Sequence, residues 1–195
     1  MKISILLPYK ENYSPIYPGA VSLFVNSTIK KSIYRKDITV YGYTDLKEKF
    51  SKNYINIPLK KEMFKSQSKM YVNKFIDLQK NIQSEIIEIH NRPNYVNYIE
   101  KLNSKIVLYF HNDPLSMIGS KSIDERKKLL TSCSKIIFNS EWSKKRFLDK
   151  LDNFYHKSLK LEVIHQSIDR AKVNLKSKEK LITFVGKLNH AKGYD

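Results

Sequence analysis

The feature that most constrains this chain is an alternation that runs along nearly its whole length: short, β-branched apolar runs separated by longer amphipathic or polar stretches. Such a rhythm argues for βα units and a parallel sheet, since parallel neighbours need a crossover rather than a tight hairpin. The runs at 2–7, 38–43, 54–57, 85–90, 106–110, 135–139, 161–165 and 181–185 read as strands. Helices are expected over 20–32, 68–82, 95–102, 123–133 and 141–151; in the second of these Met70, Tyr71, Phe75, Ile76 and Leu78 fall near helical spacing. Ser122-Ile123-Asp124-Glu125 is a capping-box pattern, and Ser140 is placed to cap the following helix. The resulting order predicts an α/β fold with an open, doubly wound parallel sheet, which collects ligands at the carboxyl ends of its strands.

The chain of 195 residues has room for one domain or for one domain and the start of another. Residues 169–180 are polar, lysine-rich and without clear periodicity, and they read as a linker between a first domain, 1–168, and the opening strand and loop of a second, 181–195. The alternative is that the strand at 181–185 adds to the first sheet. No apolar run approaches the ~20 residues of a membrane helix. The amino-terminal run is too short for a signal peptide, with Lys10-Glu11 directly behind it, so a cytoplasmic protein is expected. Cys133 stands alone, which excludes disulfide frameworks and multi-thiolate zinc sites and suits a reducing compartment.

The 36 basic and 19 acidic residues leave a net charge of +17, a balance that attracts phosphates, nucleic acid or an anionic membrane surface. Only five of the cations are arginines, however, and planar recognition of phosphate or base edges favours arginine. The lysines are also spread along the chain rather than gathered in a tail. Nucleic acid is therefore not the expected partner; a lysine load of compositional origin and a membrane surface both remain open.

Four places could carry chemistry, each just after an expected strand. In the loop that ends Tyr17-Pro18-Gly19-Ala20, Gly19 lets the backbone approach a ligand and the helix start offers free N–H groups to a phosphate, although a Pro-Gly pair also serves as a plain turn. His90-Asn91-Arg92 and His111-Asn112-Asp113 each put a histidine at a strand end with polar neighbours behind it, a titrating group at a cleft or a hydrogen-bonded core residue. Gly186-Lys187 through Lys192-Gly193 offers two positive charges on a flexible backbone to a diphosphate, or two ordinary surface lysines. No zinc-ligand spacing, no Gly-x-Ser-x-Gly elbow and no phosphate-binding Gly-x-x-x-x-Gly-Lys-Ser/Thr loop is present, so no metal is expected.

Together the opening Ile3 to Gly19, the block Leu108 to Asn112, Ile136-Ile137-Phe138-Asn139-Ser140-Glu141-Trp142-Ser143-Lys144, Val163 to Asp169, and Val185 to Asp195 resemble the nucleotide-sugar glycosyltransferases of family GT4. The last block is the most specific, being similar to the family's Gly-Arg-x4-Lys-Gly turn with Lys187 in the arginine position. The resemblance implies a GT-B fold of two Rossmann-like domains, of which this chain covers the amino-terminal, acceptor-side one, and a retaining hexosyl transfer from a nucleotide-sugar to a cell-envelope glycan or lipid-linked acceptor. It implies that Gly19, Lys187 and Lys192 meet the donor diphosphate and that His111 lines the sugar beside the reacting carbon. His90, Arg92 and Asn112 then lie on the acceptor side, and neither cofactor nor metal is called for.

Departures from the pattern are Pro18-Gly19 where the family has two glycines, His165-Gln166-Ser167 where it has Pro-Asn-Gly, and lysine for arginine at Lys187, a point charge in place of a bidentate fork. The family's Glu-x7-Glu pair, which holds the donor, lies beyond these residues. The expectation is thus an acceptor-binding half, inactive alone and completed by a donor half, in the same protein or in trans, with peripheral attachment to the inner face of the cell membrane. The alternative is a non-catalytic basic domain that binds carbohydrate, a partner protein or nucleic acid.

Overall fold

A computed structural model describes residues 1–59, 66–167 and 180–181. Seven strands, β1 (Ile3–Leu6), β2 (Ile38–Gly42), β3 (Tyr54–Asn56), β4 (Ile86–His90), β5 (Lys105–Phe110), β6 (Lys135–Phe138) and β7 (Leu161–Val163), form one sheet in the order β3-β2-β1-β4-β5-β6-β7. Every pairing is parallel. The helices are α1 (Ala20–Lys31), α2 (Gln67–Ile82), α3 (Val96–Ile99), α4 (Ile123–Ser132), α5 (Glu141–Leu148) and α6 (Asn153–His156). This is the doubly wound, Rossmann-like α/β sheet that the alternation predicts, and its order reverses between β1 and β4, where such sheets open a crevice.

Strand alternation divides the core in two. Ile5, Leu7, Ile38 and Val40 face one side and pack with Val21 and Val25 of α1. Leu6, Tyr41, Ile87, Ile89, Leu108, Phe110, Ile136 and Phe138 face the other, against Tyr71, Val72 and Phe75 of α2, Leu129 and Leu130 of α4 and Phe147 of α5. Several polar groups inside are paired: Ser4 Oγ lies 2.7 Å from Ser84 Oγ and accepts from Gln79 Nε2 at 3.0 Å, and Tyr71 donates to the Leu7 carbonyl at 3.0 Å. Burying these groups costs little because each finds a partner.

The local start signals hold. Ser122 and Glu125 make the full capping box, and Ser140 Oγ accepts from the Ser143 N–H at 3.2 Å. Two helices fall short of their expected spans. In place of a helix over 95–102 there is a 3-10 turn, Pro93–Tyr95, followed by the single turn of α3. The helix expected to reach residue 151 stops at Leu148. There Asp149 leaves helical geometry, Lys150 takes a positive φ of 59°, and the buried guanidinium of Arg126 donates to the carbonyls of Phe147 and Asp149. The short α6 that follows has no counterpart in the sequence reading. The linker 169–180 and the second-domain start 181–195 lie outside the described residues except at 180 and 181.

Candidate functional site

With all strands parallel, the segments that follow β4 and β5 emerge side by side at the carboxyl edge. On β4, Ile87 and Ile89 point into the larger core, so Glu88 and His90 share the opposite face. The register sets Tyr109 of β5 directly against His90, and His111 is the next residue along that face. The Tyr109 and His111 rings stack at 4.4 Å, the His90 and His111 rings at 5.1 Å, and Phe24 of α1 sets its edge against His111 at 5.0 Å. Here α1 acts as a lid on a block of flat rings.

Through the rings runs a line of polar contacts. Glu88 Oε1 lies 2.7 Å from His90 Nε2. The two atoms approach without forming a hydrogen bond, which leaves Nε2 without a hydrogen-bond partner although His90 is fully buried. His90 Nδ1 is 2.8 Å from His111 Nε2, and the amide nitrogen of Gln166 meets His111 Nδ1. The backbone of His111 is held as well. Its N–H donates to Asn91 Oδ1 at 2.7 Å, and its carbonyl accepts from Asn139 Nδ2 at 2.8 Å. Asn91 reaches it from a left-handed turn, φ 51°, a conformation that asparagine tolerates better than most residues.

Burial, reinforced by the charge of neighbouring His90, pushes the His111 imidazole down to about 3, so at neutral pH it is uncharged. Burial, with the Glu88 carboxylate adding to it, pushes the Tyr109 phenol up to about 12, and its hydroxyl donates to the Ile164 carbonyl at 2.7 Å. Beside this cluster a groove of about 420 Å³ runs between α1 and the segment after β7, lined by Phe24, Ser27, Thr28, Ile164, His165 and Ser167.

The structure brings His90 and His111 into direct contact, which the sequence placed only on neighbouring strand ends. Arg92 is half-buried and donates to the carbonyl of Asn91 at 2.8 Å, and Asn112 stands exposed just past His111. Gly19 caps α1 with extended backbone. A Cβ there would overlap the Glu11 carboxylate, whose Oε1 accepts from the Ser22 N–H at 3.0 Å. The anion position at this helix start is thus filled by the chain itself. Lys187 and Lys192 lie outside the described residues. Glu88, Asn91, Asn139, Gln166 and Glu11 were given no site role in the sequence, although the segments read there contain them. Glu88 was within reach, two residues before His90 on one strand face; the others join only through tertiary contact. Among the described residues no group of three or more His, Cys, Asp or Glu side chains is arranged to hold a metal, and no helix is long and apolar enough to cross a membrane.

Fold and cluster define a doubly wound α/β domain with an aromatic, hydrogen-bonded site at the carboxyl edge of its sheet. No family model and no curated protein matches the sequence. Among solved structures the fold is similar to that of Anabaena Alr3699/HepE in complex with UDP-glucose, with a TM-score of 0.51 and 16% identity over 85% of this chain and 44% of that one. A weaker likeness, TM-score 0.43 at 9% identity over 76% of this chain and 46% of that one, is to Glycyrrhiza uralensis UGT73P12 complexed with glycyrrhetinic acid 3-O-monoglucuronide. The chain spans less than half the length of either protein. The first likeness shows a shared fold.

Proposed function

We propose that this chain is the acceptor-side, amino-terminal half of a GT-B glycosyltransferase of the GT4 type, moving a hexosyl group with retention from a nucleotide-sugar to a cell-envelope glycan or lipid-linked acceptor. The observation that carries the reading is His111, uncharged, stacked on Tyr109 and gripped at both ring nitrogens and both backbone groups at the carboxyl edge of the sheet. The likeness of fold to a protein crystallised with UDP-glucose supports it.

In this reading His111 lines the sugar site, with Arg92 and Asn112 on the acceptor side and His90 behind them. The donor diphosphate meets Lys187 and Lys192, and at Gly19 it displaces the Glu11 carboxylate. Transfer needs no protein nucleophile, cofactor or metal: the leaving diphosphate assists deprotonation of the acceptor hydroxyl while the protein orients both partners. The domains divide at 1–168, 169–180 and 181–195, and the donor half is supplied by further chain or in trans.

The test is transfer of labelled hexose from nucleotide-sugars to cell-envelope acceptors, by this chain alone and with a GT-B donor half added. We expect no transfer from the chain alone, transfer from the completed enzyme, and a fall of about 100-fold on His111→Ala, the scale of a misplaced reacting group. Transfer by the chain alone defeats the half-enzyme reading, and full activity of the variant removes His111 from the site.

A further inference from the structure

At the amino-terminal edge of the sheet, where α1 has ended at Lys31 and β3 has not begun, a pocket of about 370 Å³ opens beside β2. Its floor is apolar, formed by Ile38 and Val40. Around the floor stand Lys30 from α1, Arg35 and Lys36 from the turn into β2, and Lys52 from the segment that enters β3. No carboxylate lines the pocket; Asp37, the next residue along the turn, is exposed and is not part of the lining. The walls are held by hydrogen bonds. Ser32 accepts from the Tyr34 N–H at 3.1 Å through its Oγ and from the Arg35 N–H at 3.3 Å through its carbonyl. The Tyr34 carbonyl accepts from the Asp37 N–H at 2.8 Å, and the Asn53 carbonyl accepts from the Val40 N–H at 2.9 Å.

None of the four cations has a side-chain partner among the described residues. The arginines make the contrast. Arg92 and Arg126 donate to backbone carbonyls and Arg146 to the Asp113 carboxylate, whereas the guanidinium of Arg35 donates to no group of the chain. The carbonyl end of α1 attracts Lys30, which lies in its last turn, but Arg35, Lys36 and Lys52 lie outside that turn and need another reason. Four like charges gathered round one cavity repel, a cost that an anion inside it removes. We propose that this pocket binds a phosphate-bearing ligand, a phosphomonoester or a diphosphate, with Arg35 as the bidentate fork and the lysines as point charges. Its volume is that of a small-ligand pocket. The site lies at the opposite edge of the sheet from His111, and it does not depend on the transferase reading. The phosphate comes either free in solution or on a lipid headgroup; Ile33 and Tyr34, exposed on the same turn, offer a lipid surface apolar contact.

Amide ¹H–¹⁵N spectra of the whole chain, titrated with inorganic pyrophosphate at constant ionic strength, test the site. We expect saturable shifts at the amides of Lys30, Arg35, Lys36, Lys52 and Asn53, with the amide of His111 unmoved. Arg35→Gln/Lys52→Gln should weaken pyrophosphate about tenfold, the sum of two exposed charge contacts. Lys145→Gln/Lys150→Gln removes the same charge around α5, at the other end of the sheet, and should leave the affinity unchanged. The same spectra show that each variant is folded. Equal weakening in both variants, shifts scattered over the whole basic surface, or no saturable response overturns the pocket. Phosphatidylcholine vesicles with and without phosphatidic acid, at about 0.15 M salt where the general field is screened, then assign the source. Sedimentation with phosphatidic acid that pyrophosphate competes away and Arg35→Gln/Lys52→Gln weakens places the phosphate on a lipid. A protein that stays in the supernatant while pyrophosphate binds takes it from solution, and either result supports the site.

Discussion

His111 keeps neither ring nitrogen for solvent, and that single fact gives it a measurable signature. Its imidazole is held down to about 3 in the folded protein, first by burial and then by the charge of His90, while an unfolded chain takes up that proton near the ordinary ~6.5. The unfolded state therefore binds more protons between those values. The stability that His111 contributes is whole above about 6.5, drains as pH falls through the interval, and is gone below about 3. Urea midpoints at several pH values in that window should fall on acidification more steeply for the parent than for His111→Gln, which cannot titrate; parallel slopes would mean that the ring is not desolvated as described. Cys133 shows the same physics on another group, since burial pushes its thiol up to about 12 and leaves it inert at neutral pH. The sequence marks both residues by type, but burial, which sets their chemistry, comes from strands and helices distant along the chain.

At the scale of elements, starts are more legible than stops. The caps of α4 and α5 were readable because Ser122, Glu125 and Ser140 sit within one turn of the groups they satisfy. The end of α5 was not, because Arg126, which takes up its last carbonyls, lies 21 residues before Phe147 on another helix. α1 is a third case. It has no acidic residue in its own first turn and no capping side chain on Gly19, so Glu11 of the preceding loop supplies the acceptor. Glu11→Ala should cost about 1 kcal/mol, the usual value of a helix amino-terminal cap, seen as a lower urea midpoint at unchanged slope; an unchanged midpoint would show the carboxylate contact to be idle. The absence of a long helix over 95–102 has a similar source, since Pro93 opens a 3-10 turn and only Val96–Ile99 continues as α-helix.

Across the whole molecule a net charge of +17 acts as a field rather than as contacts. The end of α1 and the turn that leads to β2 combine Lys30, Arg35 and Lys36 with Tyr34 and an Ile33 that is 87% exposed, a basic and apolar corner at the amino-terminal edge of the sheet. Vesicles rich in anionic lipid should therefore bind the protein at low salt and release it as ionic strength rises, with neutral vesicles leaving it in solution. Equal sedimentation with both kinds of vesicle would remove the electrostatic account. The strand order belongs to this scale too: the alternation required parallel neighbours, but it said nothing of the reversal between β1 and β4 that sets the crevice beside His90.

What the sequence determined by itself was what short-range physics controls. The period of its apolar residues dictated strands and helices, the long stretches between the short apolar runs dictated a parallel sheet, and the capping residues dictated where α4 and α5 begin. It also put His90 and His111 at strand ends, since each closes an apolar run. What only the tertiary structure decided was which groups meet. Glu88, His90, His111 and Gln166 make one line because β4 pairs with β5 in a particular register and the chain returns past β7 at their edge. Register and return path follow from burying two apolar faces at once, a condition on the whole sheet that no local stretch of residues encodes.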